Sequence, residues 1–166
     1  MMINIRVLIL VVAGLFVANS RALYAERFFL GNLEISNVWA WETPGNSRTA
    51  AIYIERISNK GSRLDSLIKI SSQLAAKHLI HKTVVEKSIA KMIHIDELKV
   101  LAGESLSLKP GSFHIMMFDI QKKLVRGFKF PVLLEFRNSG KLEVFVEVKP
   151  IGAATKKMNH KKMHKH

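Results

Sequence analysis

Apolar and polar residues alternate along most of the chain, and this period of two predicts β-strands. The clearest case is KLEVFVEV at 141–148, in which Leu142, Val144 and Val146 share one face. Similar segments occupy 32–41, 49–59 and 113–120, and turn signals such as Pro110-Gly111 recur between them. No long segment of helical period competes. Many short strands separated by turns predict an all-β domain, a sandwich or barrel.

The two ends of the chain break this pattern. At 1–25, Arg6 precedes a run of apolar residues at 7–18, and small residues follow, which is typical of a secretory signal peptide. A membrane span needs about 20 residues, and this run is shorter. The alternative to a cleaved signal peptide is an uncleaved N-terminal anchor. We therefore predict a signal peptide at 1–25, one domain at 26–152 and a flexible basic tail at 153–166. The predicted location is the periplasm.

Composition narrows the chemistry. The 166 residues include no cysteine, which excludes disulfides, zinc-thiolate sites, catalytic thiols and a lipid-modified cysteine. The 26 basic and 13 acidic side chains give a net charge of +13. Two of the basic residues lie in 1–25 and five in 153–166, where no acid occurs, so 19 basic and 13 acidic residues, net +6, remain for the domain. Such a tail either binds an anionic partner or is simply solvated.

Two His–Met pairs carry the candidate chemistry. Residues i and i+2 of a strand share a face, so His114 and Met116 project together. The segment 81–92 predicts a hairpin centred on Glu86-Lys87, which would place His81 opposite Met92. Thioethers select Cu(I), and imidazole binds copper readily. Each residue alone has a plainer interpretation, since a single Met in a strand is usually core and a single His is usually a surface or hydrogen-bonded residue.

The spacing of these four residues, H-x10-M-x21-H-x-M, resembles the signature of the periplasmic copper chaperones called PCuAC. The stretches HLIHKTVVEKSIAKM and LKPGSFHIMMFDI are also similar to that family, and the resemblance covers about 32–149. It implies a cupredoxin-like Greek-key β-sandwich or barrel with His81, Met92, His114 and Met116 as Cu(I) ligands. Phe118 stands where some relatives carry a further Met.

Other residues have weaker assignments. The tail carries a second, tentative copper locus, which would bind Cu(II), formed by Met158, His160, Met163, His164 and His166. His94 shares a face with Met92 and is either a surface residue or a neighbour of the ligands, whereas His78 has the opposite parity to His81. Met117 is predicted to be core. At least one of Trp39 and Trp41 is also predicted to be core, the alternative being an aromatic beside the site.

These observations predict a monomeric copper chaperone rather than an enzyme. The resemblance implies delivery of copper to an acceptor such as the CuA-bearing subunit of cytochrome c oxidase or a Sco-type protein. Neither nucleic acid nor stable membrane insertion after signal cleavage is expected. Two alternatives remain open, a copper scavenging or resistance protein and a basic β-sandwich that binds anionic surfaces. A copper enzyme ranks third, because the domain offers few further histidines.

Overall fold

The computed structural model describes residues 26–152, and this part of the chain forms β-strands connected by turns and loops. No helix among these residues is long and apolar enough to cross a membrane. The predicted signal peptide and tail lie outside the described residues. The strands are β1 (Arg27–Leu30), β2 (Leu33–Trp41), β3 (Thr49–Asn59), β4 (Asp65–Ser71), β5 (Ala75–Glu86), β6 (Ile89–Ile95), β7 (Leu98–Val100), β8 (Ser105–Leu108), β9 (Phe113–Ile120), β10 (Lys129–Phe136) and β11 (Gly140–Lys149).

The strands form one continuous hydrogen-bonded sheet in the order β6-β5-β9-β3-β2-β11-β10-β4-β7, with β1 on β2 and β8 on β3. Neighbours are antiparallel except β2 and β11, which run parallel. The sheet curls, because β4 near one end also contacts β5 near the other. This arrangement confirms the predicted all-β class.

The alternating pattern accounts for the core. In β11, Val144, Val146 and Val148 point inward, while Phe145 between them is exposed. In β9 the inward residues are Ile115 and Met117, both fully buried, so the prediction for Met117 is confirmed. His114, Met116 and Phe118, which alternate with these residues, therefore lie on the outer face of the sheet.

A buried carboxylate fastens the loop between β10 and β11. Asp65 accepts hydrogen bonds from the backbone N–H groups of Ser66, Asn138 and Ser139 at 2.7–3.0 Å, and from the Ser139 hydroxyl at 2.5 Å. Burial alone would raise the pKa of Asp65, but these hydrogen bonds favour the charged form and leave the pKa below its usual value. The ionised form of Asp65 therefore stabilises the fold.

The hairpin of β5 and β6 differs from its predicted register. Glu86 pairs with Ile89, so the two-residue turn is Lys87-Ser88 rather than Glu86-Lys87. Both turn residues have positive φ, 49° and 66°, as a type I′ hairpin turn requires. Met92 consequently lies opposite Thr83, and His81 lies opposite His94.

Candidate metal centre

Three histidines lie side by side on the outer face of β6, β5 and β9. His81 on β5 is directly opposite both His94 on β6 and His114 on β9. The ring centroids are 6.0 Å apart for His81 and His94, and 5.9 Å apart for His81 and His114. We call the surface that carries these rings the histidine face.

His114 has one ring nitrogen without a hydrogen-bond partner. The residue is only 3% exposed. Its Nδ1 lies 3.0 Å from the carbonyl oxygen of Ser112, which can only accept, so the proton is on Nδ1. Nε2 therefore carries a lone pair, and this atom is buried and has no partner among the described residues. A buried polar atom without a partner is costly, so this unpartnered nitrogen indicates a position where a ligand binds.

His81 has a similar feature. Its Nδ1 is also buried without a partner in the described part of the chain. Burial lowers the pKa of His81, and repulsion from His114 and His94 lowers it further. The ring is therefore held in the neutral form, in which a nitrogen lone pair can bind a metal.

The two thioethers lie on the same face. Met116 follows His114 by two residues and lies opposite Leu79, the residue two before His81. Met92 lies opposite Thr83, so it is diagonal to His81, and its side chain is 62% exposed. The prediction that Met92 directly opposes His81 was wrong, but a shift of two residues keeps both on one face. The histidine face thus carries all four side chains predicted as ligands.

The third histidine, His94, differs because both of its ring nitrogens have a contact. Nδ1 of His94 lies 3.2 Å from the carbonyl oxygen of Ile80, and its Nε2 lies 3.3 Å from a carboxylate oxygen of Asp96. Within residues 26–152, no three histidine or carboxylate side chains are arranged to hold a metal. A metal on the histidine face would therefore need the thioethers as well. His78 projects from the opposite face and contacts the Ser72 hydroxyl.

Aromatic side chains continue the row beyond His114. Tyr53 on β3 lies 6.5 Å from the His114 ring, and Trp39 and Trp41 on β2 lie 4.5 and 5.2 Å from Tyr53, between ring centroids. Both Trp side chains are half-buried on this outer face, so the prediction that one is core was wrong. Trp39 lies directly opposite Tyr53, a pairing that depends on the register of β2 and β3 rather than on any local sequence pattern.

The five tail residues proposed for a second copper locus, Met158, His160, Met163, His164 and His166, lie outside the described residues.

Comparison with known sequences identifies a family. The family model described as putative lipoprotein LpqE-like matches residues 33–148. A putative lipoprotein of Leifsonia xyli subsp. xyli is 28% identical over 123 residues, which are 74% of this chain and 72% of that protein. An uncharacterized protein of Rickettsia prowazekii is 28% identical over 117 residues, 67% of this chain and 64% of that protein. A family described as lipoproteins fits a protein outside the cytoplasm.

Comparison with solved structures identifies the fold. The copper-bound PCuAC domain from PmoF2 has a TM-score of 0.66 and 19% identity, covering 75% of this chain and 98% of that domain. The apo PCuAC domain from PmoF1 has a TM-score of 0.65 and 18% identity, covering 75% and 99%. The Cu(I) form of DR1885 from Deinococcus radiodurans has a TM-score of 0.59 and 19% identity, covering 80% and 87%. The predicted resemblance to PCuAC domains and the cupredoxin-like fold are confirmed.

Proposed function

Because the chain belongs to the LpqE-like family of putative lipoproteins and has the fold of PCuAC domains, we propose that it is a copper chaperone acting outside the cytoplasm. Its cargo is Cu(I), held by His81, Met92, His114 and Met116. The observation that carries the proposal is the pair of buried imidazole nitrogens, Nδ1 of His81 and Nε2 of His114, that have no partner in the described part of the chain. Solved domains of similar fold bind copper, including Cu(I) in DR1885, and no catalytic step is proposed.

The donor set matches Cu(I) better than other metals. Two neutral imidazoles and two thioethers form a soft site without charge, and thioethers bind Zn²⁺ and Ca²⁺ poorly. Thioethers need no deprotonation, and they form no disulfides in an oxidising compartment. The chain has no cysteine that would compete for the metal.

The ligands differ in exposure, and this difference gives an order of exchange. Met92 is 62% exposed on the outermost strand of the sheet, whereas His114 is 3% exposed between two other strands. An incoming ligand from an acceptor protein would displace Met92 first, while His81 and His114 still hold the ion. His114 would release the ion last. Stepwise exchange of this kind avoids free copper.

We place the protein in the periplasm and its acceptor at the CuA centre of cytochrome c oxidase, directly or through a Sco-type protein. The tail would bind Cu(II) and raise the local concentration of copper near the domain. A scavenging protein would use the same site but would not release copper to an acceptor.

The test is a Cu(I) titration against a competing chelator under anaerobic conditions. We expect one tight equivalent on the domain, and we expect the double variant Met92→Leu/Met116→Leu to lose at least about tenfold in affinity. The matched control is Met117→Leu. Met117 lies on β9 beside Met116, but its thioether points into the core, so this substitution should leave the affinity unchanged. Equal losses in both variants, or no loss in the double variant, would exclude the proposed ligands.

A further inference from the structure

The outer edge of β6 is unpaired among the described residues. β6 ends the strand order, and β5 is the strand with which it pairs. The turn Lys87-Ser88 makes Glu86 and Ile89 a hydrogen-bonded pair. Hydrogen-bonded and non-hydrogen-bonded residue pairs then alternate along the hairpin. The N–H and C=O groups of Ala90, Met92 and His94 therefore point away from β5, toward the free edge.

Apolar side chains are exposed on both faces of this hairpin. Val85 and Met92 project from the histidine face, and Ile89 and Ile93 project from the opposite face. A long exposed apolar edge strand is a template for pairing with another chain, and proteins usually protect such edges. Here the strand also carries a proposed copper ligand.

The charges of the hairpin indicate what kind of chain it would bind. Residues 81–95 contain three lysines and one glutamate. Lys82 and Lys91 lie on the face opposite the histidines, which we call the lysine face. Lys91 pairs with Glu86 at 2.9 Å, and Lys82 lies over the Phe113 ring. A second copy of this chain would add lysines to the lysine face, where like charges repel, whereas a chain with carboxylates would complement it.

We propose that the free edge of β6 is the docking site for an extended, carboxylate-bearing segment of the copper acceptor, which joins the sheet as a further strand. Alternate side chains of that segment lie over the lysine face, and those between them lie over the histidine face. A thioether, imidazole or thiol at one of the latter positions comes to lie about 4.8 Å, one strand spacing, from Met92. The backbone hydrogen bonds thus position the incoming ligand beside the ligand that leaves first. This inference rests on the proposed function for the identity of the acceptor.

The test uses a peptide whose two faces match those of the hairpin, acetyl-Glu-Val-Glu-Met-Glu-Val-Glu-amide, added to the isotope-labelled copper-free chain. We expect NMR shift changes centred on the amides of Ala90, Met92 and His94, and slower hydrogen exchange there. Two further peptides carry N-methyl groups at odd or at even positions. Strand addition uses every second peptide N–H, so one pattern should weaken binding at least about tenfold and the other should not. Equal binding by the two N-methylated peptides would overturn the proposal.

Charge variants test the partner's chemistry. Lys91→Glu should weaken binding of the acidic peptide several-fold, and added salt should reduce the difference. The matched control is Lys123→Glu, which makes the same charge change in the exposed loop between β9 and β10. Equal effects of the two substitutions would show that only net charge matters and would overturn the acidic-partner assignment.

Two further outcomes distinguish docking of an acceptor from self-association, and the docking site from the copper site. Edge amides already protected without peptide would show that a second copy or a terminal segment of this chain covers β6, and sedimentation would distinguish the two. Because the peptide binds copper-free protein in this assay, failure of Cu(I) binding would refute the proposed function and leave the docking result intact. If the protein binds Cu(I) normally but the peptide does not join β6, the docking site alone would be refuted.

Discussion

Replacing His114 by phenylalanine tests whether this histidine lowers the stability of the copper-free protein and raises that of the copper-bound protein. The buried Nε2 of His114 has no partner within residues 26–152, and such an atom costs about 1–3 kcal/mol of folding free energy. The substitution removes this atom and keeps a planar ring of similar size next to Tyr53 and His81. The histidine therefore destabilises the copper-free protein, and His114→Phe should relieve that cost.

The substitution also removes one hydrogen bond, from Nδ1 of His114 to the Ser112 carbonyl, worth about 0.5–1.5 kcal/mol. That carbonyl keeps a partner, because the backbone N–H of Thr83 donates to it at 3.1 Å. The net expectation is a gain of about 1 kcal/mol in the free energy of unfolding of the copper-free protein. For a domain of this size, that gain raises the melting temperature by about 4 °C.

Copper should reverse the order of stability. At a free Cu(I) concentration about 100 times the dissociation constant, the wild-type protein gains about 2.7 kcal/mol from binding. His114→Phe should gain little, so it is the more stable protein without copper and the less stable one with copper. The assay is urea unfolding at a free Cu(I) concentration fixed by a chelator.

A specific result would refute this reasoning. If His114→Phe lost more than about 1 kcal/mol without copper, the ring would be a structural core residue and Nε2 would not be a vacant ligand position. An unchanged stabilisation by copper would also show that His114 does not hold the ion.

Two further predictions come from the structure, and a third comes from the sequence of the tail. Asp65→Asn should cost about 2 kcal/mol at neutral pH, because an amide donor replaces a charged acceptor of several hydrogen bonds. Since the folded pKa of Asp65 is lowered, its stabilisation is complete above the unfolded value of 3.8 and is lost as pH falls through the folded pKa, so acid unfolding curves of the two proteins should converge. Cu(I) should change the tryptophan fluorescence, with saturation at one equivalent, because Trp41 contacts Tyr53 and Tyr53 contacts His114; Trp41→Phe should reduce the signal at unchanged affinity. Deleting residues 153–166 should remove a second copper equivalent and leave the first, whereas an unchanged stoichiometry would exclude the tail as a binding locus.

The sequence predicted the features that depend on side-chain parity and missed those that depend on backbone conformation. Period two placed His114 and Met116 on one face and Met117 in the core, and the structure confirms both placements. The turn was misplaced because Lys87 and Ser88 adopt positive φ, which residue preferences disfavour. A shift of two residues preserves parity, so the four ligand candidates still share a face.

The neighbours of the site were harder to predict. Their proximity depends on strand order, since β9 lies between β5 and β3 although it follows them by several strands in the chain. No local pattern shows that His81 would lie opposite both His94 and His114, or that Tyr53 would extend the row. Trp39 and Trp41 suggested core because large aromatics usually pack inward. Here they cover the outer face and pack against Tyr53 beside the histidines.

The parallel pairing of β2 with β11 affects how the protein can be made. Trp39 near the start of the described domain pairs with Glu147 near its end, so the middle of the sheet is completed by β11, the last strand among residues 26–152. A chain emerging from a ribosome or a translocation pore carries β2 through nearly the whole domain before its neighbour appears. Folding of the domain is therefore completed only once β11 has emerged. Truncation before β11 would leave all of β10 and the end of β2 at 39–41 without their neighbour, and such unpaired edges invite aggregation.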